Sequence, residues 1–305
     1  MSDPSDRPDT RSFAGLDREL VGFFALAFAL AWGVYGILGV IGWASGGVTA
    51  TELLTRGELL DFEGVDLVVP GLLVFALTRV ADFSFSIAGV VLIWMTAGRP
   101  GLRTLASRLT RVRIGWQWYL VALLPVVLYT AAAVFAGVTD DAVALTVDAS
   151  PAAIRAVLFA IDGGLLVTLF LRGALGEELG LRGFALPRLQ ERTNPFHASL
   201  VIGVLWGLWH LPVLVGREPL IVVVFLLLAI GLSFVFTWLF NGSGGSLVPV
   251  LLFHTFQNSE EMFETLLPAL VGTDWELLST LSLLVVGIAV GVWLFRQRRR
   301  ARTVS

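Results

Sequence analysis

The chain has 305 residues, of which 56% are hydrophobic and 15% charged, with a mean hydropathy of +0.82. That composition excludes a large soluble domain and describes an all-α polytopic membrane protein of about eight spans, with one transmembrane domain over 19–295. Cysteine is absent, which removes disulfides, thiolate nucleophiles and thiolate metal sites, while the net charge of −3 says little because the charges are segregated along the chain.

Residues 1–18 are rich in Asp, Pro and Arg and read as a disordered tail. An acidic, proline-bearing start before a long apolar run is not the pattern of a signal peptide. That run, Leu20 to Trp43, is the first expected span. A second lies within Leu67–Ala97 and is interrupted by Arg79 and Asp82, whose i,i+3 spacing lets them pair as structural support inside a bundle. Between Arg99 and Arg113 five arginines alternate with Leu102, Leu105, Leu109 and Val112, which predicts an amphipathic helix lying in the membrane interface. Trp116, Trp118 and Tyr119 anchor a third span that runs to Val138. An acidic loop with Asp140, Asp141 and Asp148 follows.

The fourth span is expected from Pro151–Arg155 through Asp162 and Arg172, with Glu177 and Glu178 toward its far end. The fifth covers Phe196–Val215, the sixth Leu220–Phe240, the seventh begins at Leu247 and the eighth is Leu277–Phe295. A polar turn occupies 241–246, and an arginine-rich tail occupies 296–305. Eight spans put both termini on one side. The N-terminal tail, the 99–113 and 182–192 segments and the C-terminus hold most of the arginines, against Arg56, Arg155 and Arg217 opposite, so both termini are expected in the cytoplasm.

One stretch is chemically out of place in so apolar a chain: Gly173-Ala-Leu-Gly-Glu177-Glu178-Leu-Gly-Leu-Arg182-Gly183. An Asp, Lys or Arg at a helix centre in hydrocarbon costs about 2.5–3.5 kcal/mol on the insertion scale. Glu178 and Arg182 are i,i+4 and neutralise one another in part; Glu177 points about 100° away and lacks that partner. Of three histidines, His197 lies at the edge of a span. The other two are deeper, His210 in Trp206-Gly-Leu-Trp-His210-Leu-Pro212 and His254 in His254-Thr-Phe-Gln-Asn258. His254 and Asn258 share a helix face, as do Trp206 and His210. Pro212 removes a backbone donor and predicts a kink beside His210.

This ordered set, E-E-x-x-x-R, W-x-x-x-H-x-P and H-x-x-x-N, resembles the CPBP family of CAAX proteases and bacteriocin-processing enzymes, also called ABI, which is related to the eukaryotic Ras-converting prenyl endopeptidase. The likeness covers roughly 155–265. It implies an intramembrane endopeptidase in which Glu177 and His210 activate water, His254 and Asn258 stabilise the oxyanion, and Glu178, Arg182 and Trp206 support the site. The substrate it implies is a lipidated or membrane-embedded peptide, cut near the cytoplasmic side. A carboxylate bonded to an imidazole can take a proton from water, and donors aimed at a developing oxyanion are a large catalytic term.

No serine-nucleophile elbow and no HExxH helix is present. Glu177 or Glu178 with His210 and His254 have the ligand types of a zinc site, and members of this family are often labelled metalloproteases. The metal-free, glutamate-dependent scheme is preferred because the nearest same-face polar neighbour of His254 is Asn258, a donor and not a ligand-orienting carboxylate. Two other classes compete. An ion-coupled transporter would use Asp82, Asp162, Glu177, His210 and His254, against which no inverted repeat is visible. A non-catalytic immunity or scaffold protein would not need intact motifs. Glu260, Glu261 and Glu264 read as an outer charge patch, and no nucleic-acid motif is present.

Overall fold

The computed structural model describes residues 17–44, 68–139, 166, 168–170, 173–260 and 274–303. The N-terminal tail before Asp17, the acidic residues Asp140, Asp141 and Asp148, the start of the fourth expected span with Arg155, Asp162 and Arg172, and Arg56, Glu261 and Glu264 lie outside the described residues.

Helix α1 (Arg18–Ala44) opens where Asp17 Oδ1 accepts the Leu20 N–H at 2.9 Å, the acceptor role of an N-cap. The second expected span proves to be two helices, α2 (Val68–Asp82) and α3 (Ser84–Leu109), parted at Phe83. Arg79 and Asp82 pair at 2.7 Å in the last turn of α2, beside that break. The arginine-rich segment is parted from the rest of α3 by a kink at Gly98 (φ +54°, ψ −147°, tolerated because glycine has no Cβ) and Pro100, so it is a helix of its own as expected, but it is helical only to Leu109 and not to Arg113.

The third span is interrupted between α4 (Trp116–Ala122) and α5 (Leu124–Thr139), where Pro125 offers no N–H to the preceding turn. Helix α6 (Ala174–Gly180) widens into a π turn (Leu181–Ala185) and continues as α7 (Leu186–Gln190). Helix α8 (Pro195–Trp209) starts from Asn194, whose Oδ1 accepts the His197 N–H at 3.1 Å. It stops at Trp209; His210 sits in the break before α9 (Leu211–Leu214), as the missing donor of Pro212 predicts. Helix α10 (Pro219–Gly242), a turn with Gly244 and Gly245 at positive φ, and α11 (Val248–Gln257) follow. Helix α12 (Trp275–Thr303) is longer than expected, since the arginines after Phe295 continue it.

Among the described residues five stretches are long and apolar enough to cross a membrane: Arg18–Val40, Ser84–Leu109, Trp116–Ala136, Pro219–Gly242 and Trp275–Arg298. The helices bearing the two deep histidines, α8 and α11, are shorter. Outward side chains such as Met95, Val127, Leu220 and Val285 are apolar and more than half exposed, as lipid contact requires. The chain is an integral membrane protein.

Within the bundle α8 packs on α10, α10 on α12, and α3 on α6. The last contact positions the site. A Cβ at Gly176 would lie 2.5 Å from the Asp82 carbonyl, and one at Gly180 would collide with that of Phe85. Backbone therefore meets backbone, the close approach that small residues permit between membrane helices. Ser86 Oγ–H donates to the Leu175 carbonyl at 2.8 Å across the same seam.

Candidate active site

Gly173 opens α6 with φ +100°, and a Cβ there would run into Glu177 Oε1. The glycine thus lets the chain turn sharply and leaves room for a carboxylate against its own backbone. Glu177 is buried, and its Oε2 accepts the indole N–H of Trp206. Glu178, one residue on, faces a different set of helices. Its Oε1 accepts from Arg182 Nη1 at 3.0 Å and from His254 Nδ1 at 2.8 Å. Arg182 is fully buried; Nη2 reaches Ser233 Oγ at 3.3 Å, and Ser233 in turn donates to the Ser199 carbonyl at 2.8 Å. The guanidinium lies 4.7 Å from the Phe236 ring centre and 5.4 Å from that of Trp206. A charge in hydrocarbon is thereby given a counterion, a hydroxyl and two aromatic faces.

The two deep imidazoles are oriented in the same way. His210 Nδ1 lies 2.8 Å from the Trp206 carbonyl, which accepts only if Nδ1 carries the proton. Its ring is held between Trp209 and Phe225, at 4.6 and 4.9 Å. Trp209 is itself tied to Ser84 Oγ at 3.1 Å. His254 stacks on Phe236 at 5.2 Å and gives its Nδ1–H to Glu178. Both rings therefore leave Nε2 uncommitted.

Glu177, Trp206, His210, His254 and Asn258 line one cavity of about 320 Å³ between α6, α8, α10 and α11. Glu178 and Arg182 stand behind its wall. His197 is remote, paired with Asn194 and Arg298 at the opposite end of α8. The wall also includes Tyr35, Arg79 and Asp82, where the tyrosine hydroxyl donates to Asp82 Oδ1 at 3.3 Å. Two of the residues that shape the site were not singled out from sequence, Gly173 and Tyr35. A glycine directly before the acidic turn was the available signal for the first; an isolated tyrosine in an apolar run gave none for the second.

Two observations bear on a metal. Each imidazole has the orienting partner a ligand needs, and for His254 that partner is a carboxylate from another helix, Glu178. Spacing along one helix shows only same-helix neighbours such as Asn258 and leaves a carboxylate from another helix open; Glu178 is that carboxylate, so the preference for a metal-free scheme loses the support it drew from a missing orienting partner. Yet among the described residues no three His, Asp or Glu side chains converge as a set able to hold a metal ion. In this arrangement the groups present are a carboxylate beside two imidazoles with open Nε2 atoms and a side-chain amide, a set suited to moving a proton.

Residues 151–259 match the family model described as Type II CAAX prenyl endopeptidase Rce1-like. A relative named CAAX prenyl protease 2, from Methanococcus maripaludis, is 29% identical over 110 residues, which is 33% of this chain and 41% of that protein. The aligned part thus spans less than half of the relative's length. Glu177, Glu178, Arg182, Trp206, His210, His254 and Asn258 all fall inside the matched segment, whose backbone approaches and buried ion pair are those just described, and over that segment the chain is similar to the Rce1-like CAAX prenyl endopeptidases.

Proposed function

We propose that the protein is an intramembrane endopeptidase that hydrolyses a peptide bond in a lipidated or otherwise membrane-anchored substrate. The observation that carries this reading is the convergence of Glu177, His210, His254 and Asn258 on one cavity inside an apolar bundle. In the scheme, water donates its proton to Glu177, assisted by His210 Nε2, as its oxygen adds to the scissile carbonyl carbon. The oxyanion formed is held by the Asn258 amide and by His254. The C–N bond then breaks, and the departing amine takes up the proton.

The geometry sharpens the role of His254. Because its Nδ1–H goes to Glu178, the ring can donate from Nε2 only as the imidazolium, the form for which Glu178 is a counterion. Asn258 donates whatever the protonation state. No step in the scheme is routed through a metal. The name of the archaeal relative and the family description favour a prenylated C-terminal peptide among membrane-anchored substrates.

The test uses the full chain in proteoliposomes with a farnesylated peptide ending in a CAAX-type tail and with the same peptide lacking the lipid. Mass spectrometry should show a single internal cleavage of the lipidated peptide by wild type, lost in Glu177→Ala. Absence of hydrolysis of either peptide by well-folded protein, or equal hydrolysis by Glu177→Ala, would remove the proposal.

A further inference from the structure

A second recess lies where several helices run out together. Trp118 stands in the first turn of α4, Trp238 one turn before the end of α10, and Trp293, Gln297 and Arg298 at the point where the apolar stretch of α12 stops. With Asn241 these side chains line a groove of about 590 Å³. Ligand sites commonly hold about 300–1,000 Å³. None of the six lines the Glu177 cavity. The aromatic wall is fixed in place: Trp118 and Trp238 meet edge to face at 5.3 Å, and a Cβ at Gly242 would run into the Trp118 ring, so that ring rests on bare backbone. Indole rings gather where hydrocarbon gives way to water, and three of them at coincident helix ends put the groove at a membrane boundary.

Its polar end is made of donors. Arg298 Nη1 donates to His197 Nε2 at 3.1 Å. An imidazole that accepts at Nε2 is neutral, so the contact orients the guanidinium without cancelling its charge. Asn241 Oδ1 accepts from Gln190 Nε2 at 3.2 Å, which leaves the amide hydrogens of Asn241 as its contribution to the groove. Gln297 adds a second carboxamide, and no Asp or Glu is among the described residues that line the recess. A guanidinium and two amides without a carboxylate are the complement of a phosphodiester, which brings one negative charge and several acceptor oxygens.

The rest of the ligand follows from what surrounds that end. Val285, Ile288, Val292 and Trp293 are exposed and succeed one another along one side of α12, so an apolar strip leads away from the guanidinium into the bilayer. A soluble phosphate would leave both the indoles and this strip unused. We infer that the groove binds one anionic phospholipid, its phosphodiester on Arg298, Gln297 and Asn241 and an acyl chain along the indoles and α12. The assignment stands whichever reaction the Glu177 cavity performs.

The full chain, purified in detergent and stripped of lipid, is titrated with dioleoyl phosphatidylglycerol or with dioleoyl phosphatidylcholine, and lipid retention is read by native mass spectrometry. The chains of the two lipids are identical, so only the headgroup charge differs. Wild type should retain one phosphatidylglycerol at a concentration about tenfold below that needed for phosphatidylcholine, the equivalent of one charge-assisted hydrogen bond. Arg298→Gln should abolish the difference. Gln297→Glu, an exposed change that spares the Arg298–His197 contact, should abolish it too by placing a carboxylate in the groove. The control is Arg296→Gln, which lowers the charge by the same amount but lies about 200° round α12 from Arg298, and it should keep the preference. Equal retention of both lipids by wild type, a preference that survives Arg298→Gln and Gln297→Glu, or an equal loss in Arg296→Gln would overturn the inference, the last by reducing it to diffuse attraction to a basic tail.

Discussion

His254 Nδ1 and Glu178 Oε1, contributed by helices 76 positions apart in sequence, meet at 2.8 Å, and the same oxygen accepts Arg182 Nη1 at 3.0 Å. One carboxylate oxygen thus sets the tautomer of an imidazole on the cavity and neutralises a buried guanidinium. The consequences for the two partners differ.

Glu178→Ala should leave Arg182 buried without its counterion, a loss of about 3–5 kcal/mol. The Glu178→Ala/Arg182→Met double variant should recover part of that, because the charge goes with its partner. Denaturant unfolding in detergent closes the cycle; strictly additive losses would mean that the two side chains do not act as a pair.

If Glu177, His210, His254 and Asn258 act together, alanine at any one should reduce peptide cleavage nearly as far as alanine at all four. Glu177→Gln keeps the shape and should be folded and inactive. Normal turnover by Glu177→Gln would take the base away from this position.

Trp206→Phe keeps an aromatic wall but removes the N–H given to Glu177. Hydrogen bonds to charged groups contribute about 1.5–3 kcal/mol, so kcat should fall roughly ten- to hundredfold with little change in KM. A change in KM alone would reduce Trp206 to a packing role.

Gly173→Ala combines a positive φ with a Cβ that meets Glu177 Oε1. It should lower stability by about 1–3 kcal/mol and displace the carboxylate, so activity should drop by more than stability explains. Retained activity in a folded Gly173→Ala protein would show that Glu177 need not hold its present position.

Metal dependence is decided by content and chelation. Purified protein should carry no stoichiometric zinc, and cleavage should survive exhaustive chelation. One zinc per chain, with activity lost on removal and restored on return, would convert Glu177, His210 and His254 into ligands and replace the metal-free scheme.

The helical character, the Glu178–Arg182 and Arg79–Asp82 pairs and the break beside His210 were all legible in the sequence, because each depends on neighbours within a turn or two. What spacing could not show was contact between distant helices: Glu178 on His254, Trp206 on Glu177, Tyr35 on Asp82. The charges Arg79 and Asp82 marked the interruption that falls at Phe83, whereas the one at Leu123 was hidden, since hydropathy stays high across it.

The Glu178–Arg182 pair also bears on how the chain enters the bilayer. Both residues lie within one continuous helical stretch, so their charges offset one another as soon as that segment coils, before α8, α10 or α11 has been synthesised. Glu177 has no such early companion. Its indole donor is 29 residues further on, and the shelter of its carboxylate begins only when α8 docks. The nascent segment therefore carries one compensated and one exposed carboxylate across the insertion step, and docking of the Trp206 helix is the event that completes the pocket.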